Sequence, residues 1–420
     1  MLAAAGYWTW IALAEWHVLP FWDQWATVIW FDWIVSGQRS LLDVLMMPHN
    51  EHRIIPTKLA FLGDLAFFKG RAILPYSVLV LATVGLWGAL AAMASRGCAR
   101  HLQLAVVASA GMAMVSPLQF DNLVMPFNLS WQFCGLVSLI AFYCTARCAE
   151  EPKRLWLFLP AAAVSTMLSV FSSANGLICA AIVFVMSLTL PIGKVAGITL
   201  ATLAAASIAL FFVGYPVPMG HQPFHASFGD VKGWINYLTF VVLMIGMPAY
   251  GGGTIVSAVS GLAGVAAFSV VLVVVLRRSR VGRLSDPGEL ALIATAAMGL
   301  MTAAITGVGR AEMGPTFAAS GRYATFVLLF WMCLAALTIR LGRTLLGASL
   351  VLFILAGTYV SSHDIVAAVR TWVYATRIAS ADLRAGRPIS GQIHPVLPDA
   401  AELARLVEFL RQHRLSIFAE

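Results

Sequence analysis

"WINYLTFVVLMIGMP", residues 234–248, is the stretch whose reading decides how the rest of the chain is threaded. It is apolar enough to enter a bilayer but barely long enough to cross the roughly 30 Å of hydrocarbon. The chain around it is 60% hydrophobic and 11% charged over 420 residues, with a mean hydropathy of +0.85. So little charge cannot cover the surface of a water-soluble domain, and the composition predicts an all-α polytopic membrane protein.

Eleven other apolar windows read as crossings: 2–19, 73–94, 102–118, 132–146, 155–172, 176–192, 195–213, 253–276, 289–308, 323–339 and 344–360. Suppose that 234–248 does not cross. Short loops on one side then hold Arg96, Arg100, Arg147, Lys153, Arg154, Lys194, Arg277, Arg278, Arg280, Arg283, Arg340 and Arg343. If it does cross, the RRSRVGR cluster at 277–283 changes sides and the asymmetry collapses. Lys and Arg accumulate in cytoplasmic loops, so the count favours a re-entrant or interfacial 234–248, with Gly251–Gly253 as the hinge before the next span.

The net charge of +8 is therefore read as cytoplasmic loop charge and not as a nucleic-acid footprint. The six cysteines (98, 134, 144, 148, 179 and 333) fall within or beside apolar runs, without metal spacing or a disulfide framework. No cleavable leader is read, because the first apolar run ends in Pro20 and an aromatic cluster. Residues 1–360 form the predicted transmembrane domain, with 20–72 as a first outer loop carrying interfacial helices. A polar outer tail follows over 361–420. Its segment 399–413 starts with an Asp cap and has one apolar face, as a soluble helix would.

With the N-terminus inside, the polar clusters collect on the outer side. PFWDQW (20–25) and PHNEHR (48–53) lie in the first loop. QFDNLVMPFNLSWQ (119–132), SSANG (172–176), 215–233 and GRAEMGPTFAASGRY (309–323) share that side. Within 21–35, Trp22, Trp25, Ile29 and Trp33 recur at helical spacing, which predicts a helix anchored by its rings in the headgroup plane. Asp23 and Asp32 are nine residues apart and fall on opposite helix faces, a poor arrangement for a paired-carboxylate site. Asp23 alone reads either as a general base at the interface or as a helix cap. Glu51 is a second base candidate.

Five consecutive polar residues between Pro48 and Pro56 must be satisfied by partners or by a ligand. His49, Asn50 and His52 are candidate ligand contacts. A divalent metal on His49 and His52 lacks a third fixed ligand and is weakly supported. Arg53, with Lys58 behind it, reads as an anion contact. Arg310 and Arg322 bracket a loop and suit a phosphate, with snorkelling to headgroups as the plainer reading. Glu312, Tyr323, Asp121, Asn122 and Asn175 complete the candidates, the amides being suited to a hydroxyl-rich ligand or to helix capping.

An acid directly after the first span, an interfacial helix, further spans and a polar outer tail resemble the GT-C superfamily of membrane glycosyltransferases. FWDQW, PHNEHR, SSANG, the GRA and GRY pair and LVEFLRQHRLSIF (406–418) resemble a set of bacterial inner-membrane proteins along nearly the whole chain. Many GT-C members carry an acidic pair where this chain has Asp23-Gln24. The resemblance implies a polyprenyl-phosphate sugar donor, a lipid or glycan acceptor, Asp23 as base, and a lipid-phosphate site near the outer Arg residues. It implies a place in the bacterial inner membrane with the active face in the periplasm. A transporter or flippase of lipid-linked glycans, a glycan polymerase or ligase, and a non-catalytic assembly partner are the rival expectations. The transporter is disfavoured because only Glu15 and His17 fall inside an expected span and no half of the chain repeats.

Overall fold

The structure is a computed structural model that describes residues 2–96, 98–216, 228–280, 286–361, 363–387 and 399–419. Among these residues every regular element is helical. In chain order they are α1 (Leu2–Ala14), α2 (Trp25–Val35), α3 (Leu41–Met46), α4 (Ile55–Phe67), α5 (Ile73–Ser95) and α6 (Arg100–Met114). Next come α7 (Phe120–Val124), α8 (Leu129–Glu150), α9 (Leu155–Val170), α10 (Gly176–Thr189), α11 (Lys194–Phe212) and α12 (Val231–Ile245). The last six are α13 (Thr254–Arg280), α14 (Pro287–Arg310), α15 (Ala324–Arg340), α16 (Thr344–Ser361), α17 (His363–Arg384) and α18 (Ala400–Gln412).

Eight of these, counting α6 as continued to Val124, are long and apolar enough to cross a membrane: α5, α6, α8, α11, α13, α14, α15 and α16. The expected windows at 2–19, 155–172 and 176–192 give shorter helices of 13, 16 and 14 residues. Window 2–19 overran because Leu19 belongs to a different core, described below. Window 176–192 overran into Pro191, which has no N–H to continue a helix.

The bundle has two chemically distinct ends. At one, Arg96 pairs with Glu150 (3.9 Å) and Asp286 (3.6 Å), Arg340 with Asp286 (2.7 Å), and Arg147 with Glu150 (3.2 Å) and Glu151. The short basic loops therefore meet one another, as the charge count expected. Arg283, from the same expected set, lies outside the described residues. At the other end lie the first connection, residues 127–131, the starts of α10 and α15, and the ends of α11 and α14, which surround one cavity.

The stretch 234–248 falls on α12, 15 residues and about 22 Å long, and on the turn that follows it. It turns back through a short 3-10 segment (Met247–Gly252) and Gly253 at φ +97°. Ser361, at the end of α16, accepts a hydrogen bond from the Gly251 N–H (2.8 Å) and donates to the Pro248 carbonyl (2.9 Å). The turn after α12 is thus tied to the end of α16, on the cavity side. α12 and α13 lie close because a Cβ at Gly246 would fall 1.8 Å from the Ser257 carbonyl oxygen, and one at Gly261 2.0 Å from that of Val242. Small residues let backbones approach where lipid offers no hydrophobic drive to pack.

A second core lies outside the main bundle. Leu19, Trp25, Val28 and Leu65 are buried against Ala379, Leu383, Leu403, Leu406 and Leu410. Asp399 caps α18 by accepting from the N–H groups of Ala401 and Glu402, as the sequence suggested. The tail therefore packs on the first connection. Arg405 pairs with Asp32, Arg377 with Glu15 (3.8 Å), and the Ser416 hydroxyl donates to the Val18 carbonyl (2.9 Å).

That packing corrects the expected aromatic stripe. Trp25 is fully buried under the tail, Trp22 is 47% exposed, and Trp33 is half-buried with Arg39 over its ring at 5.1 Å. α2 is covered by α4 and α18, so its rings meet protein on more than one side.

Candidate functional site

PHNEHR forms a tight turn that is neither a helix nor a solvated loop. The His49 N–H donates to the His52 carbonyl (2.7 Å) and the His52 N–H to that of His49 (2.9 Å). Asn50 sits at φ +49°, a conformation that Asn tolerates better than most residues. Pro56, at the start of α4, fits the first helical turn, where no N–H is needed.

The turn aims its side chains into a cavity of about 370 Å³. His49 Nε2 lies 3.7 Å from Asp23 Oδ1. His52 accepts at Nδ1 from the Ala174 N–H (3.1 Å), which leaves its proton on Nε2, 3.6 Å from Glu51 Oε1. Arg310 reaches the same Glu51 oxygen with Nη2 at 2.8 Å. Asn50, Asn175, Arg322 and Tyr323 also line the space. Asp23 makes no cap hydrogen bond; the Gln24 side chain satisfies the Phe21 N–H instead (3.3 Å), so the capping reading of Asp23 falls away.

Charge sets the protonation of the two carboxyls. Burial pushes both upward, but it is outweighed. Beside His49 and facing Arg322, Asp23 is held below the usual carboxylate range. Between His52 and Arg310, Glu51 is lowered to about 2. Both groups are anions at neutral pH.

Four expected site residues lie elsewhere, and so does Lys58 behind Arg53. Arg53 is buried behind the turn, where Nε donates to the Phe211 carbonyl (2.7 Å) and its two terminal nitrogens to those of Met46 and Val213. It ties the first connection to the end of α11 and does not line the cavity. Lys58 behaves likewise, donating to the Val44 (2.6 Å) and Met47 carbonyls with its ammonium 4.7 Å from the Trp30 ring. Asp121 is buried against Gly321, where a Cβ would come within 2.9 Å of its own. Glu312 is exposed in the short turn after α14, away from the cavity.

Asn122 is the fourth, and it acts at one remove. Its amide donates to the Gly321 carbonyl (3.0 Å) and the Thr325 hydroxyl (3.1 Å), bracketing Arg322 from below. Thr325 in turn donates to Gln119 (2.9 Å) and accepts from Gln132 (2.8 Å). This buried polar network fixes where Arg322 enters the cavity.

Other lining residues were not singled out in the sequence. Phe127 and Trp131 stand edge-on to His49 and His52, with ring centroids 5.1 Å and 5.9 Å apart. Asn128 sits in the same 119–132 loop, at the junction with α8, where a helix start brings polar and aromatic groups to one mouth. The far wall is apolar: Phe211, Phe212 and Ile305, with Tyr215 beside them. Phe212 and Ile305 are about half exposed on the outside of the bundle, so the cavity borders the surface that lipid would cover. Most of the 215–233 loop (217–227) lies outside the described residues.

Among the described residues no three or more His, Cys, Asp or Glu side chains converge as a metal site would need. Comparison with protein-family models, curated proteins and solved structures finds no match for this chain.

Proposed function

We propose that the protein is a membrane glycosyltransferase of GT-C type, taking a sugar from a polyprenyl-phosphate donor to a hydroxyl on a lipid or glycan acceptor. One observation carries this reading. A carboxylate, Asp23, and two arginines, Arg310 and Arg322, line a single cavity whose other wall is apolar and borders the lipid-facing surface. Such a cavity suits a ligand with an anionic head and a hydrocarbon tail.

The acceptor hydroxyl gives its proton to Asp23 as its oxygen bonds to the anomeric carbon. The bond from that carbon to the phosphate oxygen breaks, and the electron pair leaves with the phosphate. Arg310 and Arg322 stabilise the departing charge, so the leaving group needs no acid. A single displacement of this kind inverts the anomeric centre. His49 chiefly, and Arg322 after it, depress Asp23; the donor phosphate offsets the Arg322 part, so donor binding makes Asp23 a somewhat stronger base. Glu51, already held by Arg310 and His52, is less suited to that task and serves as a counter-ion.

The positive-inside rule favours an outward cavity end, and we take that side to be the periplasm of a bacterial inner membrane, as the resemblance implies. Counting α1, α9 and α10 as crossings gives eleven. The experiment is mass spectrometry of lipid-linked and surface glycans from cells with the native gene, a deletion, Asp23→Asn or Arg322→Ala, at equal expression. One sugar increment missing from the deletion and both variants supports the reading. Unchanged glycans in the deletion contradict it and favour transport of the lipid-linked glycan.

A further inference from the structure

A second cavity, of about 270 Å³, opens at the opposite, basic end of the bundle. α6 packs against α5 and α16 packs against α15; α6 and α16 touch each other only slightly, and the space lies between them. Its walls are almost wholly apolar and mostly small, including Leu90, Leu102, Ala105, Ala335 and Ala348. Ala105 and Ala348 are exposed on the lipid-facing side, so the space is a groove open to the bilayer. Apolar cavities of roughly 150 Å³ already take up a benzene-sized guest, so this groove has room for part of a hydrocarbon chain.

The charge above the groove is lopsided. Arg100 lies two residues before Leu102, and Arg343 directly precedes Thr344; both Leu102 and Thr344 line the groove. Both arginines are exposed, and among the described residues neither is paired with an acid. Acids at this end face other cations: Glu150 pairs with Arg96 and Arg147, Glu151 with Arg147 and Arg154, Asp286 with Arg96 and Arg340, and Glu289 faces Arg340 and Arg278. An apolar slot beneath two uncompensated cations is complementary to a molecule with a chain below and an anion above.

We propose that this groove is a binding site for an anionic glycerophospholipid, its acyl chain between α6 and α16 and its phosphate between Arg100 and Arg343. The site lies at the far end of the bundle from the catalytic cavity and is independent of the function proposed there. Bound lipid would fill the space left between α6 and α16 and brace the two helices against each other.

The test uses the full chain in phosphatidylcholine vesicles with or without phosphatidylglycerol. The protein is extracted, the retained lipid is quantified by mass spectrometry, and melting is followed in parallel. The native chain should retain phosphatidylglycerol preferentially and melt higher in its presence. Arg100→Gln with Arg343→Gln should lower that retention by roughly tenfold or more and remove the melting shift. Ala105→Phe with Ala348→Phe, which fills the groove from its exposed side, should do the same without altering the cations. If the filled variant fails to fold, the arginine pair alone decides. Equal retention of the two lipids by the native chain overturns the proposal, as does undiminished preference in the arginine pair. Retained preference in a folded, groove-filled variant overturns it too.

Discussion

The turn at His49–His52 has a front and a back, and the two regions use the same residue types for opposite purposes. Behind it, Arg53 and Lys58 are fully buried and spend their donors on backbone carbonyls of Met46, Phe211, Val213, Val44 and Met47. In front of it, Arg310 meets a carboxylate in an open cavity and Arg322 stands over Phe317 at 5.8 Å. A cation enclosed by carbonyls holds the chain together, because removing it strands several buried acceptors. A cation at the wall of a cavity keeps capacity for a ligand. Under the proposed function the back serves folding and the front serves the ligand, and five substitutions can break or sharpen that comparison.

The largest effect belongs to the back. Arg53→Leu strips the donor from three carbonyls, and each buried unpaired acceptor costs about 1–3 kcal/mol. Loss of folded protein is expected, read as a collapsed or missing melting transition. Native-like melting would mean that the cage does not hold the first connection. Asp23→Asn comes second. It should leave the melting temperature nearly unchanged while lowering sugar transfer by about 10²–10⁴-fold, the usual contribution of a positioned general base. If transfer persists, the base lies elsewhere.

The third effect is on binding. Arg322→Ala should weaken affinity for the donor roughly tenfold or more, by removing a charge-assisted contact to phosphate. Asn122→Ala should reproduce part of that loss from outside the cavity, since its amide holds the residues on either side of Arg322. An Asn122→Ala variant with native affinity would show that Arg322 needs no such support. The smallest effect is on pH. Glu51 has a folded value of about 2 against an ordinary 4.5, so it binds protons less readily in the folded chain. Its contribution to stability is complete above about pH 4.5 and drains away as pH falls towards 2. Glu51→Gln should flatten the acid limb of the stability curve in that window. An unchanged limb would mean that its pairing with Arg310 and His52 adds nothing to stability.

Much of this arrangement was legible in the sequence. Segregation of charge, and a 234–248 segment whose turn comes back to the cavity side, could be read because both depend on counts along the chain. The two aspects of the turn could not. Arg53 and Glu51 are two residues apart, and which one faces the cavity is set by carbonyls of residues 211 and 213, roughly 160 positions away in the chain. The same limit applies in the 119–132 loop. Asp121 and Asn122 drew notice for their polarity, yet Asn128 and Trp131 line the cavity. Apolar windows likewise overran helix ends wherever an apolar residue had another partner, as Leu19 does beneath the tail.

The most direct test of the central claim is the affinity of a polyprenyl phosphate for the purified chain in vesicles, comparing the native protein with Arg310→Gln/Arg322→Gln. The account predicts saturable binding to the native chain, reduced by at least about tenfold in the double variant while both remain folded. Equal binding by the two would contradict it, because the cavity's arginines would then hold no phosphate.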